Sequence, residues 1–296
     1  MYEQFFQFKS PPFAITPNTK FFCELKSHAD ALNTLLYCIN NGEGFVKVIG
    51  EVGTGKTLLC RKLLDSLGEN VISAYIPNPN LTPQELRKAI ASELGIKHRQ
   101  SDNHALLEKI NNQLIAFHQD NKRIVLIVDE AQSLSDENLE NIRLLTNLET
   151  EDSKLLQVIL FGQPELDTRL NQEHLRQLKQ RIVFSCYLPV LSRDELEDYL
   201  LHRLIIAGHT KGNLFTKSAK ALLYRASKGV PRLVNILSHK ALLISYGKGQ
   251  EQIDRKAVAI AVHDTLGFTL AAHHRLIIGS SLILIATILF ALIYIR

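Results

Sequence analysis

Residues 45–65 read FVKVIGEVGTGKTLLCRKLLD. The run 45–49 is short and apolar, which predicts a buried strand. It leads directly into Gly50-Glu51-Val52-Gly53-Thr54-Gly55-Lys56-Thr57, a match to GxxxxGK[ST]. Leu58 and the residues after it continue at helical spacing. Strand, glycine-rich turn and helix in that order give the pattern its meaning and separate it from a chance turn. The glycines let the backbone curl until its N–H groups face phosphate oxygens, and a helix N-terminus adds a field that favours anions. Lys56 is expected to reach the β- and γ-phosphates of a nucleotide, and Thr57 to ligate Mg²⁺.

Working outward, the next decisive stretch is 124–130, IVLIVDE. A carboxylate at the end of so apolar a strand is costly unless a cation meets it. Asp129 is therefore expected to hold Mg²⁺, directly or through water. Glu130 follows and points elsewhere, as a general base or water-positioning group for hydrolysis. Three further strands are predicted at 71–76, 155–161 and 182–188. All read as continuous apolar runs, the pattern of a parallel sheet covered on both faces. Helices are expected between them, including 28–39, 106–117 and a pattern over Leu139, Ile142, Leu145 and Leu148. Thr82-Pro83-Gln84-Glu85 is a capping box that opens a helix toward Leu94. The class is α/β, a P-loop NTPase with helices on both faces of the sheet.

Gln163 follows the fourth strand. Groups just past strand ends line the ligand crevice of a parallel sheet. It either bonds the water or γ-phosphate, or is a turn residue before Pro164. After Pro189 the strands stop. Ser192-Arg193-Asp194-Glu195 is a second capping box, and helices to about Ala207, over 217–226, 231–245 and 254–265 form a small helical module. Arg232 lies in the first turn of one of them, where the helix dipole does not favour a cation, so a phosphate partner is expected. Arg176 and Arg181 flank the last strand. Either fits an arginine supplied to a neighbouring subunit, and Arg181, directly before the strand, is preferred.

Composition bounds the rest. The 296 residues are 46% hydrophobic and 22% charged, which excludes a wholly disordered chain. The net charge of +4 does not by itself imply nucleic acid. Lys217, Lys220, Arg225, Lys228, Arg232 and Lys240 make the helical module basic, which reads as a solvated face near the inner leaflet, with contact to DNA or anionic lipid as the alternative. The four cysteines are scattered with no CxxC, so neither a disulfide framework nor a zinc site is expected. No secretory signal is visible at the N-terminus. At the other end, 276–295 reads LIIGSSLILIATILFALIYI. It is free of charge, bracketed by Arg275 and Arg296, and long enough to cross a bilayer core of about 30 Å. His273-His274 before it read as interfacial residues and not as metal ligands.

The order of phosphate loop, Asp129-Glu130, Gln163, Arg181 and Gly229-Val230-Pro231-Arg232 resembles an AAA+ ATPase. The resemblance implies Walker A, Walker B, sensor 1, arginine-finger and sensor 2 roles at those positions. It also implies a helical lid and ATP-dependent ring assembly, commonly a hexamer. Within AAA+ proteins the chain is similar to the ExeA/GspA group. That similarity rests on the opening MYxxFFxFxxxPFxxTPxxxFF with His28-Ala29, on DEAQ at Asp129 to Gln132, on FGQPEL at Phe161 to Leu166, and on GVPR. It looks most like the MshM branch, which serves mannose-sensitive haemagglutinin type IV pilus biogenesis. Where ExeA-type proteins continue into a periplasmic peptidoglycan-binding domain, this sequence stops at Arg296, so a direct cell-wall role is not expected.

The sequence therefore predicts a bacterial inner-membrane protein with one C-terminal span, its ATPase in the cytoplasm, acting with pilus or secretion biogenesis proteins. The expected division is 1–44 packed on the core, 45–190 αβα domain, 191–266 lid and 276–295 membrane helix. Gly50, Glu51, Val52, Gly53, Thr54, Gly55, Lys56, Thr57, Leu58 and Arg232 are expected to bind ATP. Thr57 and Asp129 are expected to hold Mg²⁺, and Glu130, Lys56, Arg181 and Gln163 to serve catalysis. A DNA-associated ATPase of the transposition type, and an ATP-gated adaptor with little hydrolysis, are the alternatives.

Overall fold

The computed structural model describes residues 2–97, 103–147, 154–210, 212–265 and 267. They fall into two compact units. One comprises Thr16–Glu195 with Val230–Arg232; the other comprises Met1–Ile15, Leu196–Gly229 and the described part of Leu233–Arg296.

The first unit is built on a five-stranded parallel sheet. Its strands are β1 (Phe45–Gly50), β2 (Val71–Ile76), β3 (Arg123–Val128), β4 (Gln157–Gly162) and β5 (Ile182–Leu188), in spatial order β2-β3-β4-β1-β5. Phe45, Ile49, Leu126, Val128, Val158 and Leu160 join the core on one face. Their alternates Val46, Val48, Val125, Ile127, Ile159 and Phe161 join the core on the other. Side chains of a strand alternate faces, so burial on both sides demands an apolar residue at nearly every position. The three central strands obey this. β5 lies at the sheet edge and departs from it, with Val183, Ser185 and Tyr187 exposed. β4 begins at Gln157 and not at 155; the buried Gln157 amide donates to the Cys38 and Glu43 carbonyls at 3.0 and 3.1 Å.

Helix boundaries follow local chemistry. The helix Lys26–Asn41 ends where Gly42 turns left-handed at φ 75°. Both expected capping boxes form. The Thr82 N–H donates to Glu85 Oε2 at 2.8 Å, and the Glu85 N–H to Thr82 Oγ1 at 3.3 Å. Ser192 and Glu195 do the same at 2.8 and 3.2 Å. The helix Asn103–Gln119 is longer than its apolar stripe, and Asp136–Leu145 carries Leu139, Ile142 and Leu145. Leu148 lies outside the described residues. Two short helices after β4, Pro164–Leu170 and Arg176–Arg181, have too few turns to show a period in sequence.

The second unit contains most of the helix Arg193–Ile206, the helix Lys217–Ser227, most of Pro231–Gly247, and a helix over 255–265. The N-terminal segment divides between the units. Residues up to Ile15 belong to the helical unit because their partners are there. The Lys9 N–H donates to the Ala207 carbonyl at 2.7 Å, and Phe13 meets Phe215 edge-on at 5.9 Å between ring centroids. The buried Arg203 is the main tie. Its Nε donates to the Pro12 carbonyl at 2.6 Å, a terminal nitrogen to the Ala14 carbonyl at 3.3 Å, and the other to the Tyr199 hydroxyl at 3.0 Å. From Thr16 onward the chain belongs to the sheet unit, where Arg61 donates to the Pro17 carbonyl at 3.0 Å.

Among the described residues no helix is long and apolar enough to cross a membrane. The apolar stretch 276–295 lies outside the described residues, as do His273 and His274.

Arg203→Met keeps the aliphatic stem and removes the donors, leaving buried carbonyls unpaired. It is expected to cost about 2 to 3 kcal/mol, read as a lower urea midpoint at unchanged m-value.

Candidate active site

Because β3, β4 and β1 are neighbours and run parallel, their C-terminal ends bring three segments together. These are the loop after β1, Asp129-Glu130 after β3, and Gln163 after β4. The loop 50–57 wraps onto the start of the helix Lys56–Asp65. Gly53 has φ +84°, and a Cβ there would lie 2.8 Å from Arg232 Cβ, so only glycine fits. The Arg232 N–H donates to the Gly53 carbonyl at 3.1 Å, and its side chain is exposed. The sequence expects a phosphate partner for Arg232, and the fold sets its backbone against the loop.

Lys56 is 4% exposed, and its Nζ donates to the loop carbonyls of Gly50 and Glu51 at 2.7 and 3.0 Å. Burial pushes its pKa down, opposed by the carboxylates of Glu130 and Asp129. Thr54 Oγ1 donates to the Glu51 carbonyl at 2.9 Å and tightens the turn. Glu51 and Val52 are exposed at its tip, and Leu58 packs its side chain on the core beneath.

Asp129 is 2% exposed. Burial pushes its pKa up; the Thr57 hydroxyl and the Glu130 N–H, which donates to Oδ1 at 2.9 Å, oppose that shift. A buried carboxylate bonded to a hydroxyl is a hard oxygen pair, suited to Mg²⁺. Among the described residues no group of three or more His, Cys, Asp or Glu could hold a metal.

Glu130 is left-handed, at φ 51° and ψ 39°. For a residue with a Cβ this is a sparsely populated conformation that costs about 1 kcal/mol or more. Its Oε2 accepts from Gln132 Nε2 at 2.6 Å and from Gln163 Nε2 at 3.0 Å. The Gln163 N–H in turn donates to Gln132 Oε1 at 3.1 Å. Arg169 donates to the carbonyls of Gln132 and Leu134 at 2.9 and 2.6 Å and pairs with Asp136. Gln163 is thus part of the site, and Gln132 and Arg169 join it as residues not singled out for a role. The DEAQ motif contained the signal for Gln132. Arg169 left none, since its partners lie more than thirty residues away in sequence.

Arg181 does not sit free. Its guanidinium donates to Thr146 Oγ1 at 2.9 Å and to the Arg143 carbonyl at 3.4 Å, closing the end of the helix Asp136–Leu145. Arg176 is exposed at the first position of its helix.

A family model described as an AAA domain matches residues 39–170. The chain is 42% identical over 268 residues to the general secretion pathway protein A of Aeromonas hydrophila, covering 90% of this chain and 49% of that protein. It spans about half the length of that relative. Similar solved structures include the Aeropyrum pernix ORC2 protein in its ADPNP–ADP complexes, with TM-score 0.62 and 19% identity over 83% of this chain and 71% of that one. Drosophila ORC bound to DNA gives a TM-score of 0.63 and 20% identity over 90% and 65%. The Thermotoga maritima RuvB branch migration motor gives 0.55 and 17% over 83% and 70%. At these identities the likeness to the solved structures is one of fold.

Asp129→Asn removes a buried charge from the unliganded protein. With its pKa raised by folding, Asp129 destabilises the native state progressively as pH rises through the ordinary carboxylate range to the raised value. The variant is therefore expected to melt higher than the parent at pH 7 and like it below that range, and to lose stabilisation by Mg²⁺ and ATP.

Proposed function

Because the chain belongs to the ExeA/GspA family of AAA+ ATPases, we propose that it binds ATP with Mg²⁺ at residues 50–58 and hydrolyses it to drive assembly of a secretion or type IV pilus apparatus. The observation that carries hydrolysis, beyond binding, is Glu130 Oε2 held by two amides, with Gln132 at 2.6 Å and Gln163 at 3.0 Å. Two donors on one oxygen orient the carboxylate and leave Oε1 to accept a proton from water.

Lys56 turns its Nζ from the two loop carbonyls to phosphate oxygens, exchanging neutral acceptors for charged ones. Thr57 and Asp129 hold Mg²⁺, which when bound neutralises developing phosphate charge. Glu130 takes the proton of the attacking water. The amide nitrogen of Gln163 carries a second hydrogen, so it can bond the γ-phosphate while keeping Glu130 in place. Arg232, against the Gly53 carbonyl, supplies a cation beside the phosphates. With Glu130 Oε2 already engaged by both amides, an ATP-gated adaptor with little hydrolysis is the second reading.

The trans arginine of a ring, probed at Arg181 and Arg176, is assigned to Arg176, because Arg181 is spent on its own subunit's helix end. The stretch 276–295 tethers the ATPase to the inner membrane from the cytoplasmic side, with pilus or secretion biogenesis proteins as partners. An MshM-like role in pilus biogenesis is the narrowest form of the reading.

Full-length protein in detergent is expected to hydrolyse ATP, and Glu130→Gln to lose turnover by about a hundredfold or more while still binding ATP. Equal turnover in the two proteins refutes the assignment. Arg176→Ala is expected to lower turnover at an unchanged melting temperature. Arg181→Ala is expected to lower the melting temperature, since Thr146 and the Arg143 carbonyl lose their donor.

A further inference from the structure

His28 lies near the start of the helix Lys26–Asn41 and is 7% exposed. Its Nε2 is 3.0 Å from the carbonyl oxygen of Thr54, inside the phosphate loop. A carbonyl only accepts, so Nε2 bears the proton. Nδ1 lies 3.3 Å from Ser27 Oγ, which donates to it. Phe22 packs edge-on against the ring at 6.2 Å between centroids. Burial pushes the imidazole's pKa down, opposed by the Thr54 carbonyl and by Glu195, so the ring is neutral at pH 7.

The peptide joining Thr54 to Gly55 is trans, as are all those described. In a trans peptide the C=O and the N–H point in opposite directions. A donor fixed on the Thr54 oxygen therefore turns the Gly55 N–H the other way, away from the imidazole. The imidazole packs closely against this peptide: a Cβ on Gly55, at φ +103°, would lie 3.1 Å from His28 Nε2. Hydrogen bonds in series polarise one another, so a donor on the carbonyl also strengthens the N–H as a donor.

We propose that His28 is a positioning residue for phosphate binding, holding the Thr54–Gly55 peptide with its N–H aimed at the phosphates through the bond from Nε2 to the Thr54 carbonyl. This rests on the nucleotide-binding reading above and adds a residue outside the loop motif. The helix Lys26–Asn41 thereby sets the shape of the anion cradle, a part that the GxxxxGK[ST] pattern does not supply.

The test uses full-length protein in detergent and two probes, a fluorescent ADP (mant-ADP) and inorganic tripolyphosphate competing with it. Wild type is compared with His28→Ala, His28→Phe, His28→Asn and His28→Gln, each checked for its unfolding midpoint without ligand. Ala and Phe remove the donor, and Asn is too short to reach. All three are expected to weaken both probes alike, by about tenfold, the loss of one buried hydrogen bond. The amide N–H of His28→Gln reaches the carbonyl and is expected to restore most of the affinity, which a packing role alone does not predict. If His28→Phe does not fold, Ala and Asn carry the same comparison. Wild-type affinity in the donor-less variants overturns the proposal. So does a loss for mant-ADP with tripolyphosphate unchanged, which moves the effect to the base. A wild-type chain that binds neither probe overturns the nucleotide-binding reading itself, and is told apart because both other outcomes keep wild-type binding.

Discussion

A carboxylate buried at the end of a fully apolar strand is the constraint around which the sheet unit is arranged. Asp129 stands where β3 stops, 2% exposed, at a cost that a hydroxyl and one N–H only partly offset. Such a group persists in a core only where function or a counter-charge retains it. Lys56 provides the charge, and its own burial is tolerable because Asp129 and Glu130 are near. Each offsets part of the other's burial. They meet because β3, β4 and β1 are adjacent and parallel, so that their C-terminal ends open on one edge of the sheet.

The same edge explains the strain at Glu130. A residue following a strand end would ordinarily continue extended and point its side chain away from the next strand's loop. The left-handed turn at φ 51° redirects it, and the amides of Gln132 and Gln163 hold it there. Arg169 anchors the backbone of the same turn from the helix after β4. Backbone strain, two side-chain amides and a guanidinium thus act on one carboxylate, an over-determined geometry of the kind that catalysis needs and that packing alone does not require.

Much of this was legible in the chain. The continuous apolar runs over 45–49, 124–128 and 155–161 reported a sheet buried on both faces because both alternating sets of side chains had to be apolar. Two capping boxes marked helix starts because Thr82 and Ser192 meet a glutamate three residues on, a purely local bond. The phosphate loop was legible because backbone conformation there depends on glycine. β5 was read as one more buried run, yet its alternate residues are exposed, because strand order, and not strand composition, decides which strand is an edge.

What the sequence determined by itself is whatever depends on neighbours a few residues apart: strand and helix types, the glycine-rich turn after β1, the acidic pair after β3. Contacts between distant segments were decided only in three dimensions. The first fifteen residues go to the helical unit because Arg203 finds the carbonyls of Pro12 and Ala14 there. Arg181 is occupied by the end of a helix that closes about thirty-five residues earlier. His28 reaches Thr54 across 26 residues. A hydrogen bond needs its partners within about 3 Å of each other, and linear spacing says nothing of that distance once the chain has turned back on itself.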